Sequence, residues 1–359
     1  MINVTKTYLP PLEEYVEYLE GIWERNWVTN NGPLVQELEA KLKDYLGVKH
    51  LFFVSNGTIA LQIAIKALGL QGEIITTPLS YVATTSSIVW EGGQPVFVDI
   101  DPETLCLDPA LVEEAITPLT TAIMAVHVYG HPCDVERIQA VADRHGLKVI
   151  YDAAHAFAVR YKGESLLIRG NISTLSFHAT KLFHTGEGGA VVTNDDELAH
   201  RIGYMRNFGH RGQEEFWGLG INGKNSEFHA AMGLCVLPRV RELIARRKAV
   251  SDLYDQLLHG GGLYRPRRPD GTAYNYAYYP VLLGSEAQLL KVCATLEAED
   301  VFPRRYFYPS LNMLPFAESV SMLVSERIAG TVLCLPSYHD LDDSQIEDIS
   351  ALVRGGLGT

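Results

Sequence analysis

Short apolar runs alternate with helix-period segments through the first two-thirds of this 359-residue chain, and that alternation restricts its fold more than any other feature. Seven runs read as strands: Leu51–Val54, Ile74–Thr76, Pro95–Val98, Ala122–His127, Lys148–Tyr151, Thr174–Phe177 and Ala190–Thr193. Between several of them the apolar period lengthens to three or four. Leu34, Leu38, Leu42, Tyr45 and Leu46 share one helical face, and Val135, Ile138, Val141 and Ala142 share another. Strand-then-helix repetition with Val/Ile-rich strands predicts an α/β domain around a mostly parallel sheet. Helices must cover both faces of such a sheet, and ligands gather beyond its strand ends.

The last third reads differently. An Arg-rich helical stretch, Val236–Lys248, leads into a Gly- and Pro-rich surface loop, His259–Gly271. Tyr274–Leu283 then reads as a strand and Ala287–Ala298 as a helix. The expected division is an N-terminal segment and large α/β domain over 1–245, with a smaller α+β domain over 246–359.

Composition excludes several classes. The formal charge is −13, from 30 Lys+Arg against 43 Asp+Glu. That balance argues against a nucleic-acid partner, because phosphate neutralisation needs clustered cations. Five scattered cysteines without a C-x-x-C pair predict no metal site, no disulfide framework and a cytoplasmic location. No stretch of about 18 uncharged apolar residues marks a membrane span.

The chemistry concentrates at strand ends. Asp152 follows Lys-Val-Ile-Tyr and precedes Ala-Ala, where a buried strand empties into a cleft. Lys181 follows Ser-Phe-His-Ala-Thr and precedes the glycine-rich Gly186–Gly189. A strand-end aspartate and a later lysine are what pyridoxal 5′-phosphate (PLP) chemistry requires. The lysine amine forms a Schiff base with the cofactor aldehyde, and the carboxylate keeps the pyridine nitrogen protonated. Alone, Asp152 reads equally as a helix cap and Lys181 as an exposed turn; together they point to the cofactor.

Other positions extend the pattern. The turn Ser55–Leu61 carries Gly57 and Thr58 into a helix start, a natural seat for a phosphate. Ser176 offers a second hydroxyl to the same group. Tyr81, after another strand end, is placed to stack on the pyridine ring. His155 either packs on the ring's other side or bonds its 3-hydroxyl.

The ordered set resembles the DegT/DnrJ/EryC1/StrS family of PLP-dependent nucleotide-sugar aminotransferases. It spans Trp27–Pro33, Ser55–Leu61, Pro95–Asp99, Val126–Pro132, Asp152–Ala156, Ser176–Lys181, Gly186–Gly189 and Gly220–Ala231. The resemblance implies a fold type I, aspartate aminotransferase-like α/β homodimer with active sites shared between subunits. It maps Lys181 to the Schiff base, Asp152 to the pyridine nitrogen, Tyr81 to ring stacking and His155 to the cofactor-packing position. Gly57, Thr58 and Ser176 fall on phosphate-binding positions, and Asn222 on an asparagine that reaches the phosphate from the partner subunit. Lys224-Asn225 stands where the family often has Arg-Met. A point charge replaces a planar fork there, which bears on substrate contacts.

The implied reaction passes nitrogen from L-glutamate through pyridoxamine 5′-phosphate to a nucleotide-linked keto-sugar. Ser176–His184 and Arg304–Pro309 look most like enzymes for dTDP-4-keto-6-deoxyhexoses, with Lys224, Arg304, Arg305 and Tyr308 as candidate substrate contacts. The product would be an amino sugar for O-antigen or polysaccharide biosynthesis. Two alternatives stay open: a 3-keto-sugar or UDP-keto-sugar aminotransferase, and a non-catalytic PLP-binding regulatory protein. A nicotinamide-dependent dehydrogenase is disfavoured, because Gly-x-Gly-x-x-Gly is missing after the first strands.

Overall fold

The computed structural model describes residues 1–317 and 320–358. All seven expected strands form, and they join in one sheet: β1 (His50–Val54), β2 (Glu73–Thr76), β3 (Gln94–Phe97), β4 (Thr120–Val126), β5 (Lys148–Asp152), β6 (Ile172–Ser176) and β7 (Gly189–Thr193). Their spatial order is β1-β7-β6-β5-β4-β2-β3. β7 runs antiparallel to both its neighbours, and the other pairs are parallel. The fold is an α/β architecture around a mostly parallel sheet.

Alternation of side chains explains why helices cover both faces. Along β4, Ile123 and Ala125 enter one apolar core while Ala122 and Met124 enter the other. The first core is closed by the helix Pro33–Leu46 through Leu34, Leu38 and Leu42, and by Val135–His145 through Ile138 and Val141. The second is closed by Gly57–Ala67 through Leu61, Ile63 and Ala64, and by Asp196–Met205 through Leu198 and Ile202. Each strand thus buries both rows of side chains, the condition that makes its sequence read as a continuous apolar run.

The parallel strands end on one edge, where Val54, Val126, Asp152 and Ser176 lie together with Gly189 at the start of β7. The turns that follow these ends build the site.

The C-terminal part has its own core. Val250, Tyr254, Tyr279, Val281, Leu289, Val292, Leu333, Leu335, Ile346 and Ile349 pack together around the antiparallel pair Tyr279–Leu282 and Val332–Leu335. The helix Val240–Leu257 runs unbroken past residue 245; Leu243 belongs to the first core and Val250 to this one. The N-terminal Ile2–Asn3 pairs in parallel with Val301–Phe302, so the chain's start lies against the C-terminal part. Glu318, Ser319 and Thr359, inside the expected 246–359 domain, lie outside the described residues.

Two local expectations are corrected. The strand read over Tyr274–Leu283 is confined to Tyr279–Leu282. Tyr276 sits at φ 53°, a left-handed conformation that no strand accommodates. Asn275 instead donates to the carbonyls of His155 and Phe157 at 2.8 and 2.9 Å, pinning this segment against the turn after β5. The Arg-rich stretch from Val236 begins as a 3-10 turn, Leu237–Arg239, because Pro238 interrupts the helical ladder.

Candidate active site

A cavity of about 290 Å³ opens at the strand-end edge. At one end, β1 turns into the helix Gly57–Ala67. Asn56 caps that helix, its side chain accepting the Ile59 N–H at 2.8 Å. Helix geometry leaves the N–H groups of Gly57 and Thr58 without intrahelical acceptors, beside the positive end of the helix dipole. A Cβ on Gly57 would lie 3.1 Å from Ser176 Cβ, and one on Gly189 only 2.5 Å from the Asn56 carbonyl carbon. These two glycines let three turns touch, so the helix start and Ser176 line the same wall.

Asp152 lines the same cavity, buried. Its Oδ2 accepts from the Thr84 hydroxyl at 2.7 Å and its Oδ1 from the Ala154 N–H at 3.1 Å. Burial raises the carboxyl above its ordinary range, opposed by those two hydrogen bonds and by the Lys181 charge. Lys181 lines the same cavity, and its Nζ donates to the Tyr278 hydroxyl at 3.3 Å. Burial lowers the ammonium below its ordinary value, against the opposing pull of Tyr306, Asp152 and Tyr81.

Aromatic groups form the remaining walls. Tyr81 lines the cavity with its ring 57% exposed, an apolar face free to receive a flat ligand. His155 is buried and stacks on Phe307, ring centroids 5.5 Å apart and planes within 7°. Its Nδ1 accepts the Tyr129 N–H at 3.2 Å, which leaves the ring proton on Nε2. Burial and the nearby Lys181 charge depress its pKa well below the ordinary value, so the ring stays neutral.

The model of the DegT/DnrJ/EryC1/StrS aminotransferase family matches residues 12–354. The chain belongs to this aminotransferase family. It is 45% identical over 360 residues to a dTDP-4-amino-4,6-dideoxy-D-glucose transaminase of Shigella dysenteriae, covering 98% of both chains. A transaminase of the same name from Escherichia coli is 42% identical, covering 99% of both. The crystal structure of DesI with its TDP-sugar product superposes with a TM-score of 0.94 at 34% identity, covering 99% of this chain and 93% of that one.

This aminotransferase therefore brings Gly57, Thr58, Tyr81, Asp152, His155, Ser176, Lys181 and Arg304 around one cavity. It does not bring in the others. Asn222 is exposed, bonded to Lys224 Nζ at 2.6 Å, and Lys224 lies over the Phe208 ring beside a separate small cleft. Arg305 is held by Glu286 and stacks on Tyr308, 3.6 Å from its ring centroid, away from the cavity. Of the three candidate contacts Arg304, Arg305 and Tyr308, Arg304 alone lines the cavity, its backbone bridged to Cys334.

Five residues escaped the sequence reading: Ser80, Thr84, Tyr278, Tyr306 and Phe307. Ser80 and Thr84 left one signal, hydroxyls on either side of Tyr81 where the chain leads into the helix Ala83–Trp90. Tyr278 left none, and Tyr306 and Phe307 stood without a role inside Arg304–Pro309; all three come from the C-terminal part and meet the cavity only through packing.

Proposed function

We propose that this chain transfers the amino group of L-glutamate to C4 of a dTDP-4-keto-6-deoxyhexose, with PLP as cofactor. The observation that carries the reading is the placement of Asp152 and Lys181 in one cavity that ends at the helix start of Gly57. That cavity suits the cofactor feature by feature. A buried carboxylate calls for a cation, an unfilled helix start suits a phosphate, and an open tyrosine face suits a flat ring. The choice of sugar rests on likeness to the two transaminases named above.

When bound, PLP supplies an electron sink that makes a carbon-bound proton labile. The chain does the rest. Asp152 holds a proton on the pyridine nitrogen through a charge-assisted hydrogen bond. The N–H groups of Gly57 and Thr58 and the hydroxyl of Ser176 hold the phosphate. Tyr81 covers one face of the ring and His155 the other, and the neutral imidazole adds no charge to compete with Asp152. Lys181 Nζ, with a depressed pKa, would move a proton from the donor's α-carbon to the bound cofactor in the first half-reaction and from the cofactor to the sugar carbon in the second. Arg304 supplies a cation for the donor's carboxylate or the substrate's pyrophosphate.

The protein works as a homodimer in this reading, with Asn222 and Lys224 serving the partner's cavity. Exposed Trp23, Trp27, Phe216, Trp217, Leu219 and Ile221 support it, being more apolar surface than a monomer leaves wet. The cysteines are unpaired and, among the described residues, no helix is long and apolar enough to cross a membrane. The reading sets the reaction in the cytoplasm, feeding O-antigen or polysaccharide assembly.

Incubation with L-glutamate and a panel of dTDP- and UDP-linked 3- and 4-keto-sugars tests it. The expected product is a dTDP-linked 4-amino sugar, identified by mass and by NMR of the amine position, with 2-oxoglutarate in equal amount. A UDP or 3-amino product would replace the sugar assignment. A yellow protein that glutamate fails to bleach would overturn the transaminase reading altogether.

A further inference from the structure

Thr84 and Ser80 do not touch the cavity's reacting centre, yet they form a buried polar thread that ends on Asp152. Ser80 is 2% exposed and Thr84 fully buried. Ser80 Oγ lies 2.8 Å from Thr84 Oγ1, and Thr84 Oγ1 donates to Asp152 Oδ2 at 2.7 Å. A hydroxyl carries one proton. Since Thr84 spends its own on Asp152, Ser80 must donate to Thr84, and the thread has a single direction, Ser80 to Thr84 to Asp152.

Thr84 lies in the first turn of the helix Ala83–Trp90, whose N-cap residue Val82 makes no side-chain cap bond. Neither hydroxyl caps that helix, so a purely local role is missing. Ser80 also precedes Tyr81, whose ring forms the cavity wall. One thread therefore ties the stacking tyrosine's turn to the acid.

We propose that Thr84, oriented by Ser80, is a positioning residue that holds Asp152 ionised and aimed along the cavity floor. The inference rests on the assignment of Asp152 to the cofactor's pyridine nitrogen. Its physical basis is the cost of a buried carboxylate. Among the described residues, two hydrogen-bond donors reach the acid, the Thr84 hydroxyl and the Ala154 N–H. Among the described residues, the charge acting on it is that of Lys181, while His155 on the same turn is neutral. Removing one of two donors to a charged group in a buried site favours its protonated form. A protonated Asp152 no longer holds the pyridine proton as an ion pair.

The test uses the full-length protein with Thr84→Val, which keeps the shape and removes the hydroxyl, and Thr84→Ser, which keeps the hydroxyl. In cofactor-free protein labelled with carboxyl-¹³C aspartate, the Asp152 titration in Thr84→Val should move upward relative to wild type, and Thr84→Ser should restore it. Cofactor affinity, read by absorbance or fluorescence titration, should fall about tenfold or more in Thr84→Val and by under about threefold in Thr84→Ser. Ser80→Ala should shift both readouts in the same direction by less, and it stands as the test if Thr84→Val does not fold. Unchanged Asp152 titration and unchanged cofactor affinity in Thr84→Val, or in Ser80→Ala if it replaces that variant, would overturn the proposal. The Asp152 titration needs no cofactor. A wild type that binds no PLP would sink the functional reading while leaving this readout intact.

Discussion

Lys181 and Tyr278 meet across 97 residues of sequence, the lysine amine donating to the phenol oxygen at 3.3 Å. Burial pushes the Tyr278 hydroxyl well above its ordinary pKa, so it remains a neutral partner. It holds the free amine of Lys181 without neutralising it. Tyr278→Phe should leave cofactor affinity near wild type and slow the glutamate half-reaction by roughly tenfold, about 1.4 kcal/mol of barrier. Single-turnover absorbance after mixing with glutamate measures this; a wild-type rate would remove Tyr278 from the proton-transfer machinery.

Lys181→Ala should abolish turnover while the Gly57 and Ser176 end still takes up cofactor noncovalently. Asp152→Asn should retain cofactor and lose at least about a hundredfold in rate, because a neutral amide cannot balance the ring's proton. Borohydride reduction followed by peptide mapping checks the first assignment, since a pyridoxyl tag belongs on Lys181. Wild-type kinetics in Asp152→Asn would contradict the second.

His127 and His131 predict acid sensitivity. Both rings are buried and their pKa values are pushed from 6.5 down to about 3, chiefly by burial. Neither nitrogen of His131 has a hydrogen-bond partner among the described residues. Unfolded histidines titrate near 6.5, so between about 6.5 and 3 the unfolded chain binds more protons than the folded one. Stability then rises with pH across that window and falls as pH drops through it, by up to about 2.7 kcal/mol per pH unit for the two rings. Urea unfolding at several pH values from 7 to 4 measures the slope, and His131→Phe should reduce it by up to about 1.4 kcal/mol per pH unit, that ring's own share. An identical slope in that variant would refute the assignment.

Glu227 is a structural acid with no part in the chemistry. Fully buried, it accepts the N–H groups of Leu34 and Val35 at 3.0 and 2.9 Å, closing the start of the helix Pro33–Leu46. Glu227→Ala strands two buried donors and should cost about 3 kcal/mol, while Glu227→Gln should cost less. Denaturant titration gives both values. Equal midpoints for wild type and Glu227→Ala would show that water replaces the carboxylate freely.

The seven strands of the sheet were legible because burial on both faces imposes a local composition. A run such as Ala122–His127 cannot be solvated and still serve its neighbours. Asp152, Lys181, Gly57 and Ser176 were legible for a related reason. Each follows or opens a strand, so a position in the sequence already implies a position on one edge of the sheet. Tyr276 shows the opposite case. Its neighbours read as a strand, yet Asn275 is held by carbonyls 120 and 118 residues away, and that long-range demand overrides local preference.

What the amino-acid order settled by itself was the α/β layering and the placing of Asp152, Lys181, Gly57 and Ser176 beyond one edge of the sheet, both consequences of periodicity and strand ends. Tertiary structure alone decided which groups surround them. The Ser80–Thr84 thread reaches Asp152 across 68 residues, Tyr278 reaches Lys181 across 97, and of Arg304, Arg305 and Tyr308 only Arg304 faces the cavity. The physical reason is that a hydrogen bond or a ring contact depends on separation in space, to within tenths of an ångström. Sequence distance carries no such information once the chain has folded back on itself.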